Sequence, residues 1–223
     1  VDATALWIRL LADIRRAGAT LEEVAPFRPA LEAALGWMRD SGDPDRDGLL
    51  EYFDTTGHGL SNQGWKDSAD SVQWRDGRLA EGALALCEVQ ASAYAAAVGG
   101  AELLDELGGD GGPWRAWADE LAERFRASFW VEDEHGPYPA VALDGAKRPV
   151  DSLTSNIGHL LGTGLLDERE RMLVADRLVS PELSSGFGLR TMATSAAGYW
   201  PLAYHGGSVW THDTAIAIAG LAA

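Results

Sequence analysis

Apolar residues recur at three- and four-residue spacing over residues 3 to 17, 27 to 40, 79 to 98, 114 to 130, 155 to 163, 168 to 179 and 212 to 222, with Gly, Pro and Asp between them. That period predicts helices. No alternating run of β-branched residues competes with it, so an all-α chain is expected. The segment LAEGALALCEVQASAYAAAV (79 to 98) is apolar around most of its circumference and should be buried on several sides. The next segment, PWRAWADELAERFRASFW, opens with Pro113 and confines Glu, Asp and Arg to one face, which suits an outer helix laid over an inner one. Inner and outer helices in alternation build an α/α toroid.

The connections at 41 to 78, 131 to 154 and 180 to 211 exceed the roughly 12 to 15 residues beyond which loops are usually functional, so the chemistry should sit there. With 223 residues, 46% of them hydrophobic, the chain can bury one sizeable core, and a single domain over 1–223 is expected. Eighteen basic residues against 34 acidic ones give a net charge of −16, which repels phosphate backbones and anionic lipid heads and disfavours nucleic acid or membranes as partners. No apolar run approaches the roughly 18 residues of a membrane span and no signal pattern opens the chain, so a cytoplasmic location is expected. The single cysteine, Cys87, reads as a buried helical thiol. The chain starts without Met inside a helical pattern and stops without a cap, which reads as a piece of a longer protein.

Candidate chemistry concentrates in GHGLSNQGWKDSADSVQWRD, residues 57 to 76. A pyranose needs an aromatic face, which Trp65 offers, hydrogen-bonding groups such as Asn62, Gln63 and Lys66, and a carboxyl beside the scissile oxygen, which Asp67 offers. Asp67 alternatively caps a turn or pairs with Lys66 or Arg75. Nine Trp, several beside Gly, His, Lys and Asp, strengthen the sugar reading. In DPDRDGLLEYFD, the residues Asp43, Asp45, Asp47, Gly48 and Asp54 follow calcium-loop spacing, but Asp replaces the usual final Glu. A tight Asp and Gly turn presenting Glu51 and Tyr52 to the sugar is the preferred reading, with no metal site. Glu88 and Gln90 on the inner helix suit hydroxyl binding, and Asp213 suits a helix cap. His205 and His212 lack a zinc spacing, so Tyr204, His205 and Trp210 read as subsite lining. His159, near Asn156, is either a core histidine or a hydroxyl ligand.

The segments VDAT (1 to 4), DPDRDGLLEY (43 to 52), GLSNQGWKDS (59 to 68), ALCEVQASAYAA (85 to 96), SNIGHLLGTGLL (155 to 166), SGFGLRTM (185 to 192) and YHGGSVWTHD (204 to 213) occur in this order. Together they resemble the glucosidase domain of bacterial glycogen debranching enzymes, of the amylo-alpha-1,6-glucosidase type. The resemblance implies an (α/α)6 toroid of the six-hairpin glycosidase kind, acting on α-glucosidic linkages of glycogen-like or oligosaccharide substrates by inversion, with no cofactor. It makes Asp67 the general acid and places Asp2, Glu51, Tyr52, Asn62, Gln63, Trp65, Lys66, Glu88, Gln90, Asn156, His159, Tyr204, His205 and Trp210 around the carbohydrate. Family members carry DATPL and YHRGSVWPHD where this chain has Ala5, Gly206 and Thr211. The family's general base is a Glu downstream of the last helix pair, expected past Ala223, so a carbohydrate-binding fragment without turnover is the alternative.

Overall fold

The computed structural model describes residues 1–54, 56 and 58–223. Its helices are α1 (Ala3–Arg16), α2 (Leu21–Val24), α3 (Arg28–Asp40), α4 (Cys87–Glu106), α5 (Gly112–Ser128), α6 (Glu168–Val179) and α7 (Thr211–Ala222), with 3₁₀ turns at Ala25–Phe27 and Ser155–Leu160. Short strand β1 (Ala85–Leu86) runs directly into α4, and β2 (Trp130–Asp133), β3 (Gly136–Pro139), β4 (Ala142–Leu143) and β5 (Pro149–Val150) follow α5.

The helices form where period and end signals agree. In α1 the buried residues Ala5, Ile8, Leu11 and Ala12 share one stripe, and in α3 Leu31, Leu35 and Met38 do the same. A capping box starts α6: Asp167 Oδ1 accepts the Glu170 amide at 2.8 Å, and Glu170 Oε2 accepts the Asp167 amide at 2.8 Å. Helix α4 packs against α1, α3, α5 and the 3₁₀ turn at Ser155–Leu160, which explains why it is apolar almost all round. Helix α5 buries Ala118, Leu121, Ala122 and Phe125 on one face and exposes the other, the inner-and-outer relation the sequence predicts. One apolar cluster joins Ala5 of α1 to Ala217 of α7, and each fully buried Leu, Ile or Phe in it contributes roughly 1.5–3 kcal/mol.

Two expectations need correction. The chain is mostly helical rather than all-α, because β1, β4 and β5 form a three-stranded antiparallel sheet and β2 and β3 a hairpin. These strands have two to four residues and carry Pro and Gly, too little length for alternation to register in the sequence. Helix α4 starts at Cys87, not near residue 79. Gly82 takes φ +84°, and a Cβ there would lie 2.8 Å from the Gly145 Cα, so the chain bends at this close approach. Leu84 then exchanges backbone hydrogen bonds with Tyr52, at 3.1 and 3.0 Å, before Ala85 and Leu86 pair with β4. Among the described residues no helix is long and apolar enough to cross a membrane.

Candidate functional site

The segments 41–78 and 180–211, far apart in sequence, meet around Trp65. Its indole is stacked on the His159 ring at 5.7 Å, with 13° between the planes, and lies edge-on to His205 at 5.3 Å and to Trp210 at 5.9 Å. His212 completes the surround at 5.5 Å. Tyr204 packs on His205 and Trp210, and its carbonyl accepts the Trp210 indole N–H at 2.8 Å. Trp65 and Trp210 therefore share one face of the fold, as expected of loops that build a common site.

Asp67 stands at the edge of this cluster with half of its side chain exposed, its Oδ1 4.0 Å from His205 Nδ1. His205 Nδ1 also shares a hydrogen bond of 3.0 Å with the Ser68 hydroxyl. Burial, and then the charge of Lys66, push His205 below the ordinary imidazole value and favour its neutral form. Gly57, the first residue of the motif stretch, lies outside the described residues.

Beneath the rings lies a buried set of charged groups. His159 Nε2 is 2.6 Å from Asp213 Oδ1. Burial raises the Asp213 carboxyl, but the His159 bond and the nearby Lys66 outweigh it and hold the group below the ordinary carboxylate value. Glu88 goes the other way, with burial raising its carboxyl against the pull of His159 and Lys66. Trp65 Nε1, Glu88 Oε1 and Asp213 Oδ2 are buried without a hydrogen-bond partner among the described residues. Unsatisfied groups of this kind cost about 1–3 kcal/mol each unless a ligand or water reaches them.

Several residues expected to face a sugar are instead held inside the fold. Asn62 accepts the Tyr52 hydroxyl at 2.7 Å and donates to the Ser68 carbonyl and to Ser71 Oγ. Gln90 is bonded in both directions to the Leu50 backbone, at 2.9 and 2.7 Å, and also to the Leu86 carbonyl. Lys66 is buried and donates to Ser155 Oγ at 3.0 Å and to the Thr191 carbonyl at 2.6 Å. Asn156, also buried, accepts the Thr154 hydroxyl at 2.8 Å. These polar side chains serve the scaffold because backbone amides and carbonyls buried by the loops require partners.

Glu51, Tyr52 and Gln63 line a separate cavity of about 590 Å³ with Val1 and Trp37, and its lining does not include Asp67 or Trp65. Asp2 lies beside it, since the Val1 amino group donates to the Gln63 carbonyl at 3.0 Å and sits 3.9 Å from the Asp2 carboxylate. Glu51 is buried and bonded to Lys147, whose ammonium also lies 2.9 Å from Asp45 and 2.6 Å from Asp47. A lysine thus sits among the acids of the calcium-like loop. Asp43 accepts the amides of Asp47 and Gly48, and Asp54 those of Thr56 and Gly59, as the tight-turn reading expects.

Sequence reasoning missed the His159–Asp213 pair, Ser68, Ser155 and Thr191, whose partners lie up to 137 positions away. Where the resembling family carries Arg, this chain has Gly206, and a Cβ there would lie 3.1 Å from the Ala203 Cβ. The next residue, Gly207, which is Gly in the family pattern too, has φ +149°, and a Cβ there would lie 2.7 Å from the Trp200 carbonyl oxygen and the Tyr199 ring, so that position requires glycine.

The likenesses to known proteins bear on the family and the fold. The mannosylglycerate hydrolase MGH1-like glycoside hydrolase domain model matches residues 1–223. The GH63 mannosylglycerate hydrolase from Thermus thermophilus, solved with glucose, is 18% identical, with a TM-score of 0.68 over 98% of this chain and 60% of that one. The same hydrolase with Tris and D-glycerate gives 16% identity and a TM-score of 0.67, over 98% of this chain and 63% of that one. Neutral trehalase from Saccharomyces cerevisiae is 16% identical, with a TM-score of 0.54 over 70% of this chain and 30% of that one. The chain thus spans about 60% of the length of the hydrolase it matches. No curated protein matches it significantly. At these identities the solved structures speak for a fold of the six-hairpin glycosidase kind. With every residue inside the family match, the chain belongs to the mannosylglycerate hydrolase MGH1-like glycoside hydrolase domain family.

Proposed function

We propose that the chain is the catalytic-type part of an inverting glycoside hydrolase acting on α-glucosidic linkages of glycogen-like or oligosaccharide substrates, with Asp67 as general acid. The observation that carries this reading is the placement of Asp67: a half-exposed carboxyl two residues from Trp65, beside a buried His205, on an aromatic cluster that also contains Tyr204 and Trp210. Sugar C–H groups pack on such rings. A neutral His205 leaves no imidazolium against the carboxyl that must donate a proton. No residue of the chain is assigned as the base. Asp213 is the buried carboxylate that stays ionised, and His159 holds it in place.

The family match favours a second substrate, a short glycoside with an acidic aglycone such as mannosylglycerate. The net charge of −16 disfavours an anionic aglycone, and the debranching-type segments favour the neutral glucoside, so the glucoside is placed first. The test is to incubate the protein with maltose, isomaltose, maltotriose and mannosylglycerate and to follow the first-formed sugar by proton NMR. β-Glucose appearing first from a glucoside supports the proposal, and α-glucose appearing first contradicts inversion. Release from mannosylglycerate alone selects the second substrate, and saturable binding without release selects a non-hydrolytic carbohydrate module.

A further inference from the structure

Lys66 is fully enclosed, yet it follows Trp65 and precedes Asp67 in the chain. Its ammonium donates to Ser155 Oγ, at the start of the 3₁₀ turn that carries His159, and to the carbonyl of Thr191, in the segment that carries His205 and Trp210. It also lies 5.1 Å from the centre of the Trp65 ring. Thr191 in turn is tied to the 204–210 strip, its amide donating to the Ser208 carbonyl at 3.0 Å and its hydroxyl accepting the Gly207 amide at 2.9 Å. One side chain therefore joins all three segments whose residues make the cluster. The charged groups around it are Asp213 and Glu88, with Cys87 nearby. A lysine placed on a sugar would need a free donor toward the cleft, and this one is enclosed instead.

We propose that Lys66 is a positioning residue: its buried ammonium fastens the Trp65–Asp67 segment to Ser155 and to Thr191 and so sets the place of Asp67 opposite His205. The proposal rests on the reading of Asp67 as the acid, but its geometry can be tested apart from catalysis. His205 faces Lys66, Asp67, Asp70 and Asp213; burial first and then the charge of Lys66 lower its imidazole value, against the three carboxylates. A substitution that removes the ammonium, with the fold intact, moves that titration.

The experiment compares the wild type with Lys66→Met and with the milder Ser155→Ala, each first shown to be folded by circular dichroism. Two readouts are taken: the His205 titration by NMR of the imidazole, and kcat and KM on maltose and on 4-nitrophenyl α-glucoside. For Lys66→Met the expected result is a His205 titration displaced to higher pH. On maltose kcat falls at least about tenfold with KM within about threefold, and the aryl glucoside, whose leaving group needs little protonation, loses less. Ser155→Ala shifts both readouts the same way by less, and it decides the matter if Lys66→Met does not fold. An unmoved His205 titration together with unchanged kcat overturns the proposal, and so does a loss confined to KM, which would make Lys66 a substrate ligand. If the protein with its natural flanking sequence hydrolyses neither glucoside, the glycosidase reading fails while the His205 titration still decides the place of Lys66.

Discussion

His159 is bonded to Asp213 across 2.6 Å while its ring lies flat against Trp65, so one imidazole joins the aromatic cluster to the buried carboxylate. His159→Phe keeps the stacking surface and removes the bond. Asp213 is then left unpaired, and a loss of about 1–3 kcal/mol is expected, measured by urea unfolding near neutral pH. The sign with pH follows from the depressed Asp213 value. Its contribution is present above the ordinary carboxylate range and is lost as pH falls through the folded value, so His159→Phe should also move acid unfolding to higher pH. Unchanged urea and acid midpoints would mean that the bond contributes nothing.

Arg177 makes two bonds to Asp133, at 2.6 and 2.7 Å, with 4% and 9% of the two side chains exposed. This pair ties α6 to the β2–β3 hairpin. Arg177→Met leaves a nearly buried carboxylate without its two closest bonds and should cost about 3–5 kcal/mol in urea unfolding. Arg75 also reaches Asp133 but is much more exposed, so Arg75→Met should cost under about 1 kcal/mol of ion-pair energy. Equal losses for the two variants would contradict this ranking.

Lys147 supplies the positive charge among Asp45, Asp47 and Glu51, and the buried Glu51 has its carboxyl raised by burial despite that lysine. Millimolar calcium is therefore expected to leave the melting temperature of the wild type unmoved. Lys147→Met, which strips Glu51 of its partner, should lower it by roughly 5 °C. A clear rise in the wild-type melting temperature with calcium would restore the metal-loop reading of residues 43 to 54.

The ends of α1, α3, α6 and α7 fall within one or two residues of the periodic segments, because the apolar period that buries one side of each helix stops there. Residues 79–86 misread as helix because Ala and Leu are good helix formers, while the close approach of Gly82 to Gly145 is set by chain 63 positions away. The site divides in the same way. Aromatic and polar density in 57–76 and 204–213 gives away Trp65, Asp67, His205 and Trp210. The inward turn of Asn62, Lys66 and Gln90 does not show in the sequence, since only remote partners such as Ser155, Thr191 and Leu50 make burial of those groups tolerable.

Lys66 also has a stability consequence. Burial pushes its ammonium down to about 8 from 10.5, against the pull of Asp213 and Glu88. Between those two values the unfolded chain binds more protons than the folded one, so the Lys66 contribution to stability grows as pH rises through this window. The difference in unfolding free energy between the wild type and Lys66→Met should accordingly increase from about pH 7.5 to about 9.5. A flat or shrinking difference would show that the ammonium is not strained by its burial.

The central claim is that Asp67 donates the proton to the leaving oxygen, and the most direct measurement is turnover by Asp67→Asn in the protein with its natural flanking sequence, with volume kept and the proton removed. On maltose kcat is expected to fall at least about a hundredfold, with a distinctly smaller loss on 4-nitrophenyl α-glucoside, while the melting temperature stays near that of the wild type because the side chain is half exposed. Near-normal turnover on both substrates, equal losses on the two, or a loss explained by unfolding would contradict the account and make Asp67 a structural residue.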